Sequence, residues 1–270
     1  MAAIVWFCIT LFIFIFNASA ETASASEFLN NFRGSRKGAN IEGISELKKH
    51  LHDIGYISSD SSNANITSDG FDDLLESALK KYQSYYNLNV TGVVDDDTLS
   101  LMSQPRCGVP DFPDVSPDFS LYPGFPKWWT YNLSYSFAPY TRGDAFDPVA
   151  RAMENWAYVS PFRFTLIAKY MAANFKISFV QKDGPGKILA SAYKPRDGRL
   201  LFDEAEKWVN GKVSGGYDMQ SVALHEIGHL LGLRHSKDPN AVMYAYLAPN
   251  NVKTQLQADD ILGLKALYDF

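Results

Sequence analysis

Cysteine and histidine are both scarce in this chain of 270 residues. It has two cysteines, Cys8 and Cys107, which excludes a scaffold held by several disulfide bonds. The formal net charge of −5 excludes a basic nucleic-acid-binding protein as the first interpretation. No apolar run reaches the roughly 20 residues that a membrane-spanning helix needs. Aromatic residues, in contrast, make up 14% of the chain, which argues against global disorder.

The longest apolar run, 4–16, lies near the amino terminus. It is followed by Ala18-Ser19-Ala20, which has the small-x-small pattern of a signal-peptidase site. We therefore interpret 1–20 as a secretory signal that is removed, with an uncleaved signal anchor as the alternative. Removal leaves Cys107 as the only cysteine, and a lone thiol in an oxidising compartment requires an explanation. Three glycosylation sequons fit the secretory route; they begin at Asn65, Asn89 and Asn132.

Charge divides the remaining chain into two modules. Residues 21–115 contain 8 basic and 15 acidic side chains, whereas 116–270 contain 17 basic and 15 acidic side chains. The opposite net charges predict two domains that attract each other. Between them, 104–127 is rich in proline, and we interpret it as an extended linker.

The first module has the pattern of three short helices. Apolar residues recur at helical spacing over 41–51 and over 71–86. The segment 95–102 carries acidic residues in its first turn, where they favour a helix. The polar stretch 57–70 predicts a loop. A bundle of this size is more typical of a binding or masking unit than of a catalyst.

The second module mixes strands and helices, and their order predicts an α+β fold. Asp147-Pro148 indicates the start of a helix that runs to about residue 159, because proline is favoured at the first helical position. The other predicted elements are strands at 133–137, 175–180, 187–193 and 200–202, and helices at 218–231 and 258–268.

Three of the five histidines lie within eleven residues, in the sequence HEIGHLLGLRH that begins at His225. His225 and His229 are four residues apart, so on a helix both imidazoles lie on one face. Gly232 can end that helix in a left-handed conformation and let the chain return with His235 as a third ligand. Three imidazoles and one open position are typical of catalytic zinc. Glu226 can then act as general base toward a water molecule that the metal activates.

This sequence, followed by Ala241-Val242-Met243-Tyr244, resembles the zinc-binding motif and Met-turn of the metzincins. The segment Pro105-Arg106-Cys107-Gly108-Val109-Pro110-Asp111 is similar to the cysteine switch of matrix metalloproteinases, or matrixins, and FDDLLESALKKYQSYYNLNVTG resembles plant matrixins most. The resemblance implies a zincin/metzincin-like catalytic domain of the α+β class, preceded by a small three-helix, peptidoglycan-binding-like prodomain. The implied domains are a signal at 1–20, a propeptide at 21–115 and a catalytic domain at 116–270, with no hemopexin-like domain expected.

The resemblance also assigns roles to residues around the metal. Cys107 would be a fourth zinc ligand in the latent form and would keep water from the metal. Arg106 and Asp111 would pair and hold the switch in place. Met243 would form a hydrophobic floor beneath the zinc.

Substrate binding is implied along one strand of the catalytic domain. Leu189 and Ala190 match the edge strand against which a substrate lies antiparallel, so that main-chain pairing supplies affinity. The segment 244–257 would form the far wall of the S1′ pocket, which selects a side chain. Two departures are expected to affect specificity: Tyr244-Ala245 replaces Tyr-Pro and should loosen this wall, and Arg234 replaces a glycine and adds a cation close to the cleft.

Matrixins usually hold a second, structural zinc through three histidines and an aspartate. Here the motif LAHA reads Leu189-Ala190-Ser191-Ala192, the motif HFD reads Leu201-Phe202-Asp203, and the loop that supplies the other ligands is shortened to Val180-Gln181-Lys182. Every histidine after residue 52 already belongs to the catalytic site. We therefore predict one catalytic zinc and no structural second zinc.

A calcium site is implied near the same loop. The sequence Asp183-Gly184-Pro185-Gly186-Lys187-Ile188 matches the calcium loop of the family, and Asp203 and Glu206 match two distant carboxylates. Oxygen ligands of this number suit Ca²⁺. The alternative is a glycine turn beside solvated acids. The loop carbonyls expected to bind are those of Gly184, Gly186 and Ile188.

We therefore predict a secreted, monomeric zinc endopeptidase that is made as a latent zymogen. Its partners would be extracellular protein or peptide substrates and an activating protease, with no nucleic acid. Glu226 would take a proton from water and pass it to the leaving amine, while the Ala190 carbonyl would help stabilise the tetrahedral state and leaving amine. One alternative is an extracellular binding protein with weak or no protease activity. Another is polysaccharide binding by the helical module.

Overall fold

The computed structural model describes residues 28–58, 66–112 and 126–270. The secretory signal predicted at 1–20 lies outside the described residues, as do Asn65 and residues 113–125 of the predicted linker. No helix in the described part of the chain is long and apolar enough to span a membrane.

The amino-terminal module contains the predicted helices, which are α1 (Ile44–Asp53), α2 (Asp73–Tyr85) and α3 (Asp96–Met102). The carboxylates of Asp72 and Asp95 cap α2 and α3, and each accepts a hydrogen bond at 3.0 Å from the backbone N–H three residues later. Each cap satisfies a donor that the first helical turn leaves unpaired. The helices bury their apolar faces in one core, which includes Leu51, Leu79 and Leu99.

The carboxy-terminal module is built on a mixed sheet that also includes a short strand from the switch. In chain order its strands are β1 (Arg106–Cys107), β2 (Asn132–Phe137), β3 (Arg163–Leu166), β4 (Phe175–Val180), β5 (Ile188–Ala192) and β6 (Arg199–Asp203). Their order across the sheet is β1-β5-β6-β4-β2-β3. The β5–β6 pair is antiparallel and the others are parallel. The strand β1 therefore covers an edge of β5 that would otherwise be open.

Three helices share the core of this module, namely α4 (Phe146–Tyr158), α5 (Met219–Leu231) and α6 (Ala258–Tyr268). All residues of α5 except Gln220 are buried, which makes α5 a central helix of the domain. The fully buried Trp156 of α4 donates a hydrogen bond from Nε1 to the Leu224 carbonyl oxygen at 2.8 Å. This bond and the surrounding core fix α5 in position, and α5 carries the metal-binding motif.

The predicted α+β class is confirmed, and the predicted elements are found within a few residues of their expected bounds. Two predictions are wrong in part. The predicted linker 104–127 includes β1, because its backbone groups pair with those of β5. The helix predicted from Asp147-Pro148 begins at Phe146, because a 3₁₀ turn at Gly143–Ala145 leads into it. Pro148 still lies in the first turn, where no N–H is needed.

Besides β1, three short strands were not predicted. They are β3, β7 (Trp208–Val209) and β8 (Tyr217–Asp218), and β7 and β8 form a separate two-stranded sheet. β3 has no buried residue, and two-residue strands are too short to show a period. These segments therefore lack the hydrophobic pattern on which strand prediction depends.

Candidate metal centre and substrate cleft

The metal-binding motif folds as its spacing predicts. His225 and His229 lie one turn apart on α5. Gly232 ends this helix with a φ of 106°, a conformation that a side chain would strain. The chain then returns to place His235 beside the other two rings, and His229 Nε2 lies 3.0 Å from His225 Nε2 and 3.1 Å from His235 Nε2. All three histidines are buried.

The outer nitrogen of each ring is held by an acceptor. His225 Nδ1 lies 2.7 Å from the Val242 carbonyl oxygen, and His229 Nδ1 lies 2.8 Å from the Leu233 carbonyl oxygen. Because a carbonyl oxygen only accepts hydrogen bonds, each Nδ1 carries the proton and each Nε2 presents a lone pair. Acceptors that hold the outer ring nitrogen in this way orient histidine ligands toward a metal.

The third histidine is held by a carboxylate instead. His235 Nδ1 lies 2.7 Å from Asp111 Oδ1, so three Nε2 lone pairs face one point without a proton between them. Burial lowers the pKa of His225 and of His229 and keeps both rings in the neutral form that binds a metal. Nitrogens about 3 Å apart are close to the spacing of tetrahedral zinc ligands with Zn–N bonds of about 2.0–2.1 Å. The donor set therefore fits Zn²⁺.

The thiol of Cys107 completes the cluster. Its Sγ lies 3.5 Å from His229 Nε2, and the four potential ligand atoms all lie within 4.8 Å of one another. Within 28–58, 66–112 and 126–270, this is the one group of three or more such side chains gathered so closely. Burial and the nearby Glu226 carboxylate raise the pKa of Cys107 well above its usual value. A thiolate at this position therefore needs a cation beside it.

Glu226 is buried next to this cluster, and the Cys107 thiol, the Lys182 ammonium and the Ala192 backbone offset only part of the cost of burying its charge. It is 0% exposed, and neither of its carboxylate oxygens has a hydrogen-bond partner among the described residues. Burial raises the pKa of Glu226 to about 7. An unpartnered buried carboxylate is costly, and a strongly shifted acid in a cleft is typical of catalytic sites.

Comparison with known proteins agrees with this geometry. Residues 127–269 match the family model for matrixin, and residues 40–102 match the model for a putative peptidoglycan binding domain. The chain belongs to the matrixin family. As a matrixin, it is a zinc metalloendopeptidase, a hydrolase that acts on peptide bonds.

The relatives of this matrixin include plant and animal enzymes. It is 42% identical over 280 residues to metalloendoproteinase 1 of Glycine max, which covers 93% of this chain and 90% of that protein. It is 38% identical over 258 residues to metalloendoproteinase 1-MMP of Arabidopsis thaliana, covering 86% of this chain and 70% of the relative. It is 41% identical over 206 residues to neutrophil collagenase of Homo sapiens, covering 70% of this chain and 43% of the relative.

The switch segment of this matrixin (105–111) is anchored by Asp111, which is 1% exposed. Its Oδ1 accepts a hydrogen bond from Arg106 Nη2 at 2.7 Å and also faces His235. Its Oδ2 accepts hydrogen bonds from the hydroxyls of Tyr56 and Tyr86 at 2.9 and 2.8 Å. Burial opposes ionisation, but Arg106 and His235 outweigh it and hold the pKa of Asp111 well below its usual value. The implied Arg106–Asp111 pair is therefore present and reaches both a histidine of the cluster and the prodomain.

Further contacts join the prodomain to the catalytic module. The sequence did not indicate these contacts. The Tyr82 and Tyr246 hydroxyls lie 2.7 Å apart, and the Tyr85 hydroxyl donates to the His235 carbonyl oxygen at 2.9 Å. Arg234 is 7% exposed and donates to a carbonyl oxygen of the switch segment, so it is buried against the propeptide. The tyrosines of α2 were the one feature of the sequence that could have indicated these contacts, because a buried tyrosine hydroxyl usually needs a hydrogen-bond partner.

Met243 lies against α5 at the level of the metal motif. It is 2% exposed, and a Cβ added to Gly228 would lie 2.3 Å from its Sδ. A glycine is therefore required between the two helical histidines for this packing. The backbone N–H groups of Val242 and Met243 donate to the Asp260 carboxylate at 3.0 and 2.9 Å. This turn also supplies the carbonyl that orients His225.

The switch segment lies in a cleft between β5 and the chain that follows Met243. The backbone N–H of Gly108 donates to the Ala190 carbonyl oxygen at 2.8 Å, and that of Cys107 donates to the Ala245 carbonyl oxygen at 2.8 Å. A cavity opens beside His225, where the S1′ pocket is expected. Its wall includes Leu189, Val242, Tyr244, Leu247 and Lys253.

The acidic residues predicted to bind calcium lie around a glycine turn. Gly184 and Gly186 have φ values of 83° and 80°. Glu206 Oε1 accepts a hydrogen bond from the Gly186 N–H at 2.7 Å, and Asp203 Oδ2 accepts one from the Asp183 N–H at 3.4 Å. Glu206 Oε2 is buried without a partner among the described residues. Burial, with repulsion from the other two carboxylates, raises the pKa of Glu206 to about 7.

Two residues in segments that the sequence comparison aligned with the second-zinc motifs of the family contact each other. Lys182 Nζ donates a hydrogen bond to Ser191 Oγ at 2.8 Å. This bond joins the loop after β4 to the edge strand β5. The single-zinc stoichiometry stays a prediction.

Proposed function

We propose that this matrixin is secreted as a latent zymogen whose propeptide, 21–115, keeps Cys107 on the catalytic zinc. The observation that supports latency is the position of the Cys107 thiol within the histidine cluster, on a segment hydrogen-bonded along the substrate cleft. His225, His229 and His235 would hold the metal, with Cys107 as fourth ligand until the propeptide leaves. Substrates would be extracellular proteins or peptides, and an activating protease would release the enzyme as a monomer.

The residues of the cleft account for the proposed chemistry. Bound zinc supplies Lewis acidity, which polarises a scissile carbonyl and lowers the pKa of water to near 7. Glu226 takes the proton of the attacking water, because it lines the cavity beside His225 and its buried carboxylate oxygens have no hydrogen-bond partner among the described residues. It then returns the proton to the leaving amine. Leu189 and Ala190 align the substrate main chain on the edge that β1 covers in the latent form.

Controlled activation tests this function. The purified full chain should not cleave a casein or peptide substrate until a protease or a mercurial removes the propeptide. Activity should then appear and should be inhibited by a hydroxamate, which binds zinc. Amino-terminal sequencing of the active form would locate the cut, expected between 111 and 125. A chain that cleaves equally well before and after propeptide removal would contradict the zymogen proposal.

We expect one zinc per chain after purification. The three clustered histidines supply one site, and Ser191 with Lys182 occupies the region of the second family site without an imidazole. Metal analysis of the activated enzyme checks this value, and His229→Ala should lower it to near zero. A stoichiometry close to two zincs per chain would contradict the prediction.

Calcium should stabilise the catalytic domain through Asp183, Asp203 and Glu206 with the carbonyls of Gly184, Gly186 and Ile188. A ligand at 100 times its Kd adds about 2.7 kcal/mol, which for a domain of about 150 residues raises Tm by roughly 5–10 °C. Thermal melts with and without millimolar Ca²⁺ measure the shift.

The variant Glu206→Gln should lose most of this calcium-dependent shift, because it removes a charged ligand oxygen. The exposed Glu154→Gln changes charge equally and should keep the shift. An identical calcium response in wild type and Glu206→Gln would contradict the assignment.

A further inference from the structure

The switch segment lies in the cleft as an extended peptide. Its contacts therefore show which side chains of the enzyme a substrate peptide would meet there. β1 pairs parallel to β5, with Cys107 opposite Ala190. The next residue, Gly108, donates its N–H to the Ala190 carbonyl oxygen at 2.8 Å. Residues after Cys107 thus lie toward the carboxyl end of β5. A substrate that runs antiparallel to β5 would place there the residues on the amino-terminal side of its scissile bond.

Gly108 leaves a side-chain position vacant in this part of the cleft. A Cβ on Gly108 would lie 2.3 Å from Ser191 Oγ and 2.6 Å from Ile188 Cγ2. The switch therefore packs directly on these two side chains, and its backbone can approach them this closely because residue 108 is glycine. When the propeptide leaves, the surface beside Ser191 becomes available to a substrate side chain.

The charge at this position comes from Lys182. Its Nζ donates to Ser191 Oγ at 2.8 Å, and the side chain is half-buried. Among the described residues its ammonium forms no direct ion pair, although it lies near enough to the Glu226 and Asp183 carboxylates to favour their charged forms. An ammonium has three donors, so Lys182 keeps donors for a ligand after it binds Ser191. A half-buried cation beside a hydroxyl matches a carboxylate best.

We propose that Lys182 and Ser191 form a subsite that selects an acidic side chain on the amino-terminal side of the scissile bond. This inference rests on the proposed orientation of substrate in the proposed function. Because Ser191 stands where the family motif has a histidine, the subsite belongs to this chain and not to the family pattern. Lys182 acts here as a specificity-determining residue, and Glu226 remains the proton-transfer group.

Matched peptides test the subsite. Quenched fluorescent peptides with one scissile bond would carry Glu, Gln or Lys at each of the three positions before that bond, and the activated zinc enzyme would be assayed with each. At one position we expect kcat/KM to be on the order of tenfold higher for Glu than for Lys, because attraction is replaced by repulsion. The ratio should fall toward one at high salt, which screens a partly exposed pair.

Variants distinguish a role of Lys182 in substrate selection from a role in the structure of the enzyme. Lys182→Gln should abolish the Glu-over-Lys ratio while the Gln peptide is still cleaved, and Ser191→Ala should reduce the ratio. Lys212→Gln removes a charge from an exposed lysine elsewhere and should leave the ratio unchanged. A uniform loss for all peptides in Lys182→Gln, or a wild-type ratio near one at all three positions, would overturn the inference. If the Gln peptide is not cleaved by the wild type at all, the proposed function fails instead.

Discussion

Replacing Glu226 by Gln should lower kcat/KM by between about 10²- and 10⁴-fold, the range that general acid–base groups contribute. Gln keeps the size of the side chain but cannot accept and return a proton. The native carboxylate is fully buried and has no hydrogen-bond partner among the described residues, so its replacement removes a buried charge that is costly to the fold. We therefore expect the variant to fold, to bind zinc and to melt at or above the wild-type temperature.

The control separates the loss of the proton-transfer group from the loss of the metal. His229→Ala should also be inactive, but it should lose zinc, because His229 Nε2 lies within 3.1 Å of both other histidine Nε2 atoms. Peptide cleavage and metal content are measured on the same activated samples. Wild-type turnover by Glu226→Gln with bound zinc would show that another group moves the proton.

Asp111→Ala should activate the full chain without an activating protease. The substitution leaves the buried Arg106 without its carboxylate, and breaking one partner of a buried ion pair costs about 3–5 kcal/mol. It also removes the acceptor of the Tyr56 and Tyr86 hydroxyls. Since each 1.4 kcal/mol is a factor of ten, the open fraction of the switch should rise by between roughly 10²-fold and several thousandfold.

Two measurements check this prediction. Cleavage of a peptide by the uncut chain reports open active sites, and the rate at which a thiol reagent modifies Cys107 reports undocking without reference to activity. The exposed Glu42→Ala removes a propeptide carboxylate outside the Asp111 network and should remain latent. After proteolytic removal of the propeptide, Asp111→Ala and wild type should have equal activity. A variant as latent and as thiol-protected as wild type would show that the Asp111 network does not hold the switch.

The zinc-binding motif was predictable because its constraints are local. The spacing of His225 and His229 requires only helical periodicity, and Gly232 requires only a left-handed helix end. Both features are present. The main helices of the prodomain were likewise indicated by periodic apolar residues and by the acidic first turn of 95–102, and the structure adds the caps Asp72 and Asp95. The strand β3 was not predicted, because it buries no residue and so has no pattern to detect.

The contacts of the switch segment were harder to predict from the sequence. The motif around Cys107 implied that Arg106 and Asp111 pair, and they do so at 2.7 Å. It did not indicate that the same carboxylate orients His235, 124 positions away in the chain. The interpretation of Arg234 as a cation near the cleft also changes, since this side chain is buried against the switch segment.

The sequence by itself determined the family, the histidines that fit a zinc site and the scarcity that makes them informative. Five histidines supply one cluster of three, and one cysteine outside the apolar amino-terminal run supplies its fourth member. Tertiary structure alone decided how Tyr56 and Tyr86 of the propeptide hold the Asp111 carboxylate, and what lies beside Gly108 in the cleft. The physical reason is that periodicity and capping act over a few residues, whereas buried networks join side chains whose separation in the chain leaves no pattern in the sequence.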